Sequence, residues 1–121
     1  MLERITGLPD NVLGVEAKGE VTGEDYESVL IPAVEEKLTR HKSIRCLYHL
    51  GSEFEKFDAK AMWDDAKMGL QHFAAWERVA IVTDVGWLRT AMKALGFIIP
   101  GEVRVFGNSE FAEARTWVCE P

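Results

Sequence analysis

Apolar residues along this chain recur with two periods, and each switch between them marks the border of an element. Residues 3–6 and 12–21 read as two strands joined by Leu8-Pro9-Asp10-Asn11, where Pro, Asp and Asn supply turn chemistry. In the second strand Leu13, Val15, Ala17 and Val21 hold the odd positions and Glu16, Lys18 and Glu20 the even ones, which predicts one buried and one wet face. Thr22 is placed to cap a helix whose first turn carries Glu24 and Asp25, suited to the positive end of the helix dipole. Tyr26, Val29, Leu30, Ala33, Val34 and Leu38 then form one apolar stripe on a helix ending near His41. Pro32 interrupts that stripe and predicts a kink within one helix.

Ile44–Leu50 is apolar enough for a strand buried on much of both faces, bounded by Lys42-Ser43 and Gly51-Ser52. Asp58 caps a second predicted helix reaching about Ala75, with Ala59, Met62, Trp63, Ala66, Leu70 and Phe73 on its apolar face and Lys60, Asp64, Asp65 and Lys67 largely off it. Arg78–Thr83 is a strand, Asp84 caps a third helix to about Leu95, and Gly96 is its C-cap. Glu102–Phe106 is the last strand, and Asn108 or Ser109 caps a closing helix through Phe111, Ala114 and Val118. The order β-β-α-β-α-β-α-β-α predicts a single α/β domain over residues 1–121: a mixed, mostly parallel five-stranded sheet with about four helices, the first strand antiparallel and the crossovers right-handed.

The 121 residues are 47% hydrophobic and 28% charged, a globular composition that excludes a disordered or collagen-like chain. With 14 Lys+Arg against 20 Asp+Glu the net charge is -6, so nucleic acid is not an expected partner and anionic lipid gains no general attraction. The longest apolar runs, such as Val79-Ala80-Ile81-Val82, fall far short of the roughly 20 residues of a membrane-spanning helix. The opening residues lack the pattern of a signal peptide, which makes the cytoplasm the expected compartment. Cys46 and Cys119 show no CxxC spacing and are expected to be reduced thiols, Cys46 packed as a small core residue.

Trp63-Asp64-Asp65, the run Glu77–Asp84, Gly86-Trp87-Leu88-Arg89 and the run Pro100–Phe106, together with the element order, resemble the bacterial SpoIIAA-like family of small STAS-type domains over nearly the whole chain. The resemblance implies a SpoIIAA-like α/β fold, related in shape to anti-sigma-factor antagonists and to CRAL-TRIO lipid-transfer domains. It carries no settled activity with it. The antagonists switch on a serine heading the helix after the third strand. The matching region here, Leu50–Asp58, lacks that motif and offers only Ser52, whose neighbours Glu53 and Glu55 would repel an added phosphate. Ser52 is therefore a poor candidate for phosphorylation.

No GxSxG, GxxxxGK[ST], GxGxxG or HExxH motif is present, and no local signature binds Ser52, His41, His49, His72, Asp58 and Asp84 into a catalytic set. No catalytic residue, metal or cofactor is predicted. Asp64 and Asp65 diverge by about 100° on a helix and read as a solvated acidic face. The informative feature is apolar: residues 86–100 gather Trp87, Leu88, Met92, Leu95, Phe97, Ile98 and Ile99, with Arg89 and Lys93 on the flank. This segment is a lid over an apolar pocket, a partner interface, a shallow membrane contact, or core with Phe97–Ile99 finishing the sheet edge. Phe54 and Phe57 are placed to line the same end of the domain, while Trp63 and Trp117 are assigned to the core. The first expectation is a non-enzymatic module acting on a protein partner and forming a homodimer. The alternative is binding of an apolar small molecule or lipid beneath residues 87–99, against which stands the little room that four helices leave in a chain of 121 residues.

Overall fold

The structure, a computed structural model, describes the backbone of residues 1–121 and every side chain except those of residues 68–70 and 73. Strand β1 (Leu2–Ile5) pairs antiparallel with β2 (Val12–Val21), and β3 (Ile44–Phe57), β4 (Trp76–Thr83) and β5 (Glu102–Phe106) add in parallel, in the spatial order β1-β2-β3-β4-β5. Helix α1 consists of Gly23–Asp25, a π-helical turn Tyr26–Leu30 and Ile31–Leu38; α2 is Ala59–Gln71, α3 Gly86–Leu95 and α4 Phe111–Cys119. Each parallel strand is laid beside the one before, so crossovers of one hand put α1, α2 and α3 on the same face of the sheet. Their core contains Leu13, Val15, Cys46, Tyr48, Val79 and Ile81. The chain leaves β5 with no further strand to build, and α4 returns across the other face onto Val12, Leu47, Ala80 and Val82.

That return covers the first part of the β2 face expected to be wet: Val12 is buried beneath the α4 layer, and only from Glu16 onward is the even face partly open. Two guanidinium groups lie over the Trp117 ring of α4, Arg78 at 5.2 Å and Arg104 at 4.8 Å from its centre. Arg78 also donates to the Trp117 carbonyl at 2.7 Å and Arg45 to that of Val118 at 3.0 Å, placing cations at the negative end of α4.

At Pro32 the preceding turn of α1 widens into π geometry, with the Ile31 amide bonded to the Tyr26 carbonyl, and this wider turn accommodates the residue that has no N–H to donate. Three further local expectations give way to tertiary contacts. Strand β3 does not stop at Leu50. It runs on to Phe57 because the second half of β2 offers a ladder, Gly19 pairing with Phe54 and Val21 with Phe57, across a bulge where Gly19 has φ +59. Phe54, Phe57 and Ser52 thus lie in a strand rather than a loop. Asp84 does not cap α3, which starts after Val85; its carboxylate accepts the Asn108 amide at 2.9 Å. The closing helix is entered through a 3-10 turn, Asn108–Glu110, fixed by the Glu110 carboxylate accepting the Gly107 amide at 2.7 Å.

The face of α2 is also different. Asp58 does cap it, accepting from the Ala61 amide at 2.7 Å and bridging to the Gly23 amide at 3.2 Å. Yet Trp63 is 68% exposed and Met62 52%, while Ala61 and Asp64 are buried. The assignment of Trp63 to the core and of Asp64 and Asp65 to a solvated face is therefore corrected. The Asp58 contact with the start of α1 fixes the rotation of α2 about its axis, and the Lys60 ammonium holds Asp64 at 3.3 Å and pairs with Glu27 of α1. Leu70 and Phe73, placed on the same stripe, lie outside the described side chains.

Candidate functional site

Between α2, α3 and the sheet lies a cavity of about 440 Å³, inside the roughly 300–1,000 Å³ of small-molecule sites and larger than four helices over so short a chain predict. Its back wall is Cys46, Tyr48 and Leu50 of β3 with Trp76, Val79 and Ile81 of β4. Tyr26 and Leu30 from the π turn of α1 close one side. The room comes from small residues: Ala66 of α2 and Ala91 and Ala94 of α3 line the cavity where longer side chains would close it. Met62, Trp87 (53% exposed) and Ile98 (59% exposed) both line the cavity and reach solvent, so they form its mouth. Phe57 joins the wall, edge-on to Trp87 at 6.4 Å between ring centres.

The apolar lining is broken by one polar cluster. The Tyr26 hydroxyl donates to Asp65 Oδ1 at 2.8 Å and lies 2.9 Å from the Tyr48 hydroxyl. A phenol has one proton, so Tyr48 is the donor in the second bond. The three groups come from α1, α2 and β3, and the π turn is what brings the fully buried Tyr26 to face the other two. Burial raises the Asp65 pKa above the usual carboxylate range, opposed by the Tyr26 hydrogen bond. Burial likewise lifts both phenols, and pushes the Cys46 thiol up to about 12, with the Asp65 charge adding to it. At neutral pH the cavity therefore presents an un-ionised thiol, which is a poor nucleophile.

The SpoIIAA-like family model matches residues 12–119. The chain belongs to the SpoIIAA-like family. A solved relative agrees: an uncharacterized protein of the DUF3478 family with a SpoIIAA-like fold, from Shewanella loihica PV-4, is 30% identical, with a TM-score of 0.77 over 98% of this chain and 93% of that one. No curated protein matches the chain. The expected α/β architecture, five strands with four main helices, is thus the fold of this SpoIIAA-like protein.

The structure brings Trp87, Leu88, Ile98, Ile99 and Phe57 together around the cavity. Phe54 stands behind Phe57, ring centres 4.9 Å apart. Phe97 is 93% exposed and outside the lining. Arg89 donates to the Thr83 carbonyl at 2.9 Å and so braces α3 against β4, whereas Lys93 is exposed. Ser52 lies with Glu16, His49, Glu53 and Asn108 around a smaller pocket of about 230 Å³. There His49 Nδ1 is 3.3 Å from Glu16 and its ring packs on Phe111. Asp58 and Asp84 are committed to backbone amides, and His41 to Asp10 at 2.6 Å. Among the described residues no three His, Cys, Asp or Glu side chains converge as a metal site, and no helix is long and apolar enough to cross a membrane.

Sequence reasoning missed Tyr26, Tyr48 and Asp65 as a group. A signal existed: two tyrosines at core positions each need a partner for the hydroxyl, and Asp65 sits one turn beyond the small residue Ala61.

Proposed function

We propose that this SpoIIAA-like protein is a non-enzymatic binding module for an apolar small molecule, held between α2, α3 and the sheet. The observation that carries this reading is the cavity of about 440 Å³ with its mouth at Met62, Trp87 and Ile98. Burial of an acyl or ring system there gains about 25 cal/mol per Å² of apolar surface, or about 0.8 kcal/mol per methylene. No ionised nucleophile is needed for binding. Two free cysteines accord with the expected reducing cytoplasm.

Diphenylhexatriene, a hydrocarbon that fluoresces only in apolar surroundings, provides the test. It binds the wild-type protein with a fluorescence rise, and Val79→Phe, which grows a ring from the back wall into the cavity, abolishes that rise while leaving the circular dichroism spectrum intact. A wild-type protein that leaves the dye dark, or a Val79→Phe variant that binds it equally well, refutes the cavity as the site.

A second reading, contact with a protein partner or a second copy, draws on Phe97, Ile98, Trp87 and Trp63, all of them large and more than half exposed. Phe97→Asp separates the two readings. It leaves diphenylhexatriene binding unchanged and, where a homodimer exists, shifts sedimentation at micromolar concentration to monomer.

A further inference from the structure

The polar cluster in the cavity has a direction. Each phenolic proton is already used inside the protein, that of Tyr26 on Asp65 and that of Tyr48 on Tyr26. Asp65 Oδ1 accepts from Tyr26, while among the described residues Oδ2 takes no hydrogen bond and the carboxylate no ion pair. Of the two ammonium groups on α2, Lys60 is engaged by Glu27 and Asp64, and Lys67 is exposed and makes no ion pair with Asp65 among the described residues. What the cluster leaves open toward the cavity is acceptor capacity alone: Asp65 Oδ2 and the lone pairs of the Tyr48 oxygen. Among the described lining residues the rest of the wall is hydrocarbon, apart from the weakly polar Cys46 thiol, the Met62 and Met92 thioethers and the Trp76 and Trp87 indoles.

An occupant that ends in a carboxylate or phosphate brings only acceptors and a second negative charge. Neither is matched at the cluster, where Asp65 and Tyr48 have no free donor and the Asp65 charge repels a second charge. An occupant that ends in a hydroxyl or an ammonium supplies the donor that Asp65 lacks, through a charge-assisted hydrogen bond. We propose that the cavity selects, among apolar molecules, those whose polar end is a hydrogen-bond donor, an alcohol or amine, and rejects those ending in a carboxylate. The inference rests on the binding function proposed above, and names the chemical class of its ligand. Asp65 and Tyr48 are the selecting residues, and the apolar wall contributes affinity without choosing the end group.

Decanol, decylamine and decanoate share one chain and differ only in the end group, so displacement of bound diphenylhexatriene by each isolates the selection. The alcohol and the amine displace the dye at concentrations at least about tenfold lower than decanoate, the effect of a single charged hydrogen bond. Asp65→Asn, which offers an N–H donor in place of a charge, narrows that gap by improving decanoate. Equal potency of the three compounds on the wild-type protein overturns the selection without needing any variant, as does an undiminished gap in a folded Asp65→Asn. Dye binding that none of the three disturbs also overturns the selection and leaves the cavity reading standing. Failure of the dye itself to bind removes both.

Discussion

Removing one oxygen atom from Tyr26 tests the cluster beneath the cavity more sharply than any larger change. Tyr26→Phe keeps the ring, which is fully buried, and so opens no cavity of consequence. It deletes the hydrogen bond to the Asp65 carboxylate, worth about 1.5–3 kcal/mol, and strands the Tyr48 hydroxyl as an unpaired donor at about 1–3 kcal/mol. The two losses share one atom and are not fully additive, so the expected cost at pH 7 is about 2–4 kcal/mol. In a chain of this length 1 kcal/mol corresponds to about 4 °C, and the melting temperature falls by about 8–16 °C. The sign of the pH dependence follows from Asp65. Its folded-state pKa is raised, so the stability linked to its protonation is fully present below the unfolded value of about 3.9 and is lost as pH rises through the folded value. The Tyr26 hydroxyl is the group that opposes this rise, and without it the loss at neutral pH deepens. The deficit of Tyr26→Phe therefore grows from pH 4 to pH 7 and stays flat in an Asp65→Asn background. Urea titration followed by circular dichroism reads it as a shift in midpoint at constant slope. A deficit below about 1 kcal/mol, or one independent of pH in the wild-type background, refutes the geometry.

Two tryptophans separate the observed faces from the expected ones: Trp63→Ser changes stability by no more than about 0.5 kcal/mol, while Trp117→Ala costs about 3–5 kcal/mol in the same urea titration. Gly101→Ala costs about 3 kcal/mol, because a Cβ there falls 2.0 Å from the Trp76 carbonyl oxygen and 2.8 Å from that of Glu77, and backbone cannot step aside as a side chain can. Of the two thiols, Cys119 reacts with an aromatic disulfide reagent in the native protein at pH 8 and Cys46 reacts only after unfolding, since it is buried and its pKa is pushed up to about 12; equal rates for both contradict the closed back wall.

The order of elements, the bounds of β2 and β5 and the inward residues of α4 were legible in the chain because each rests on a period repeated over several residues and on a local cap or turn. The exposed apolar side chains of residues 86–100, Trp87, Phe97 and Ile98, were legible too, as an excess over what one helix face can cover. Local pattern could not assign the rotation of α2. Its inward face was decided by Asp58 reaching across to Gly23 and by Lys60 pairing with α1, contacts 35 and 33 residues apart along the chain, and they turn Trp63 to water and Asp65 to the cavity. The same holds for β3, whose charged second half becomes a strand only because β2 is long enough to pair with it. Tyr26, Tyr48 and Asp65 lie on three elements and meet where a π turn and a helix rotation coincide. Periodicity records which side of an element is apolar; which polar groups meet across elements depends on the angles at which those elements pack, and that information exists only once the chain has folded.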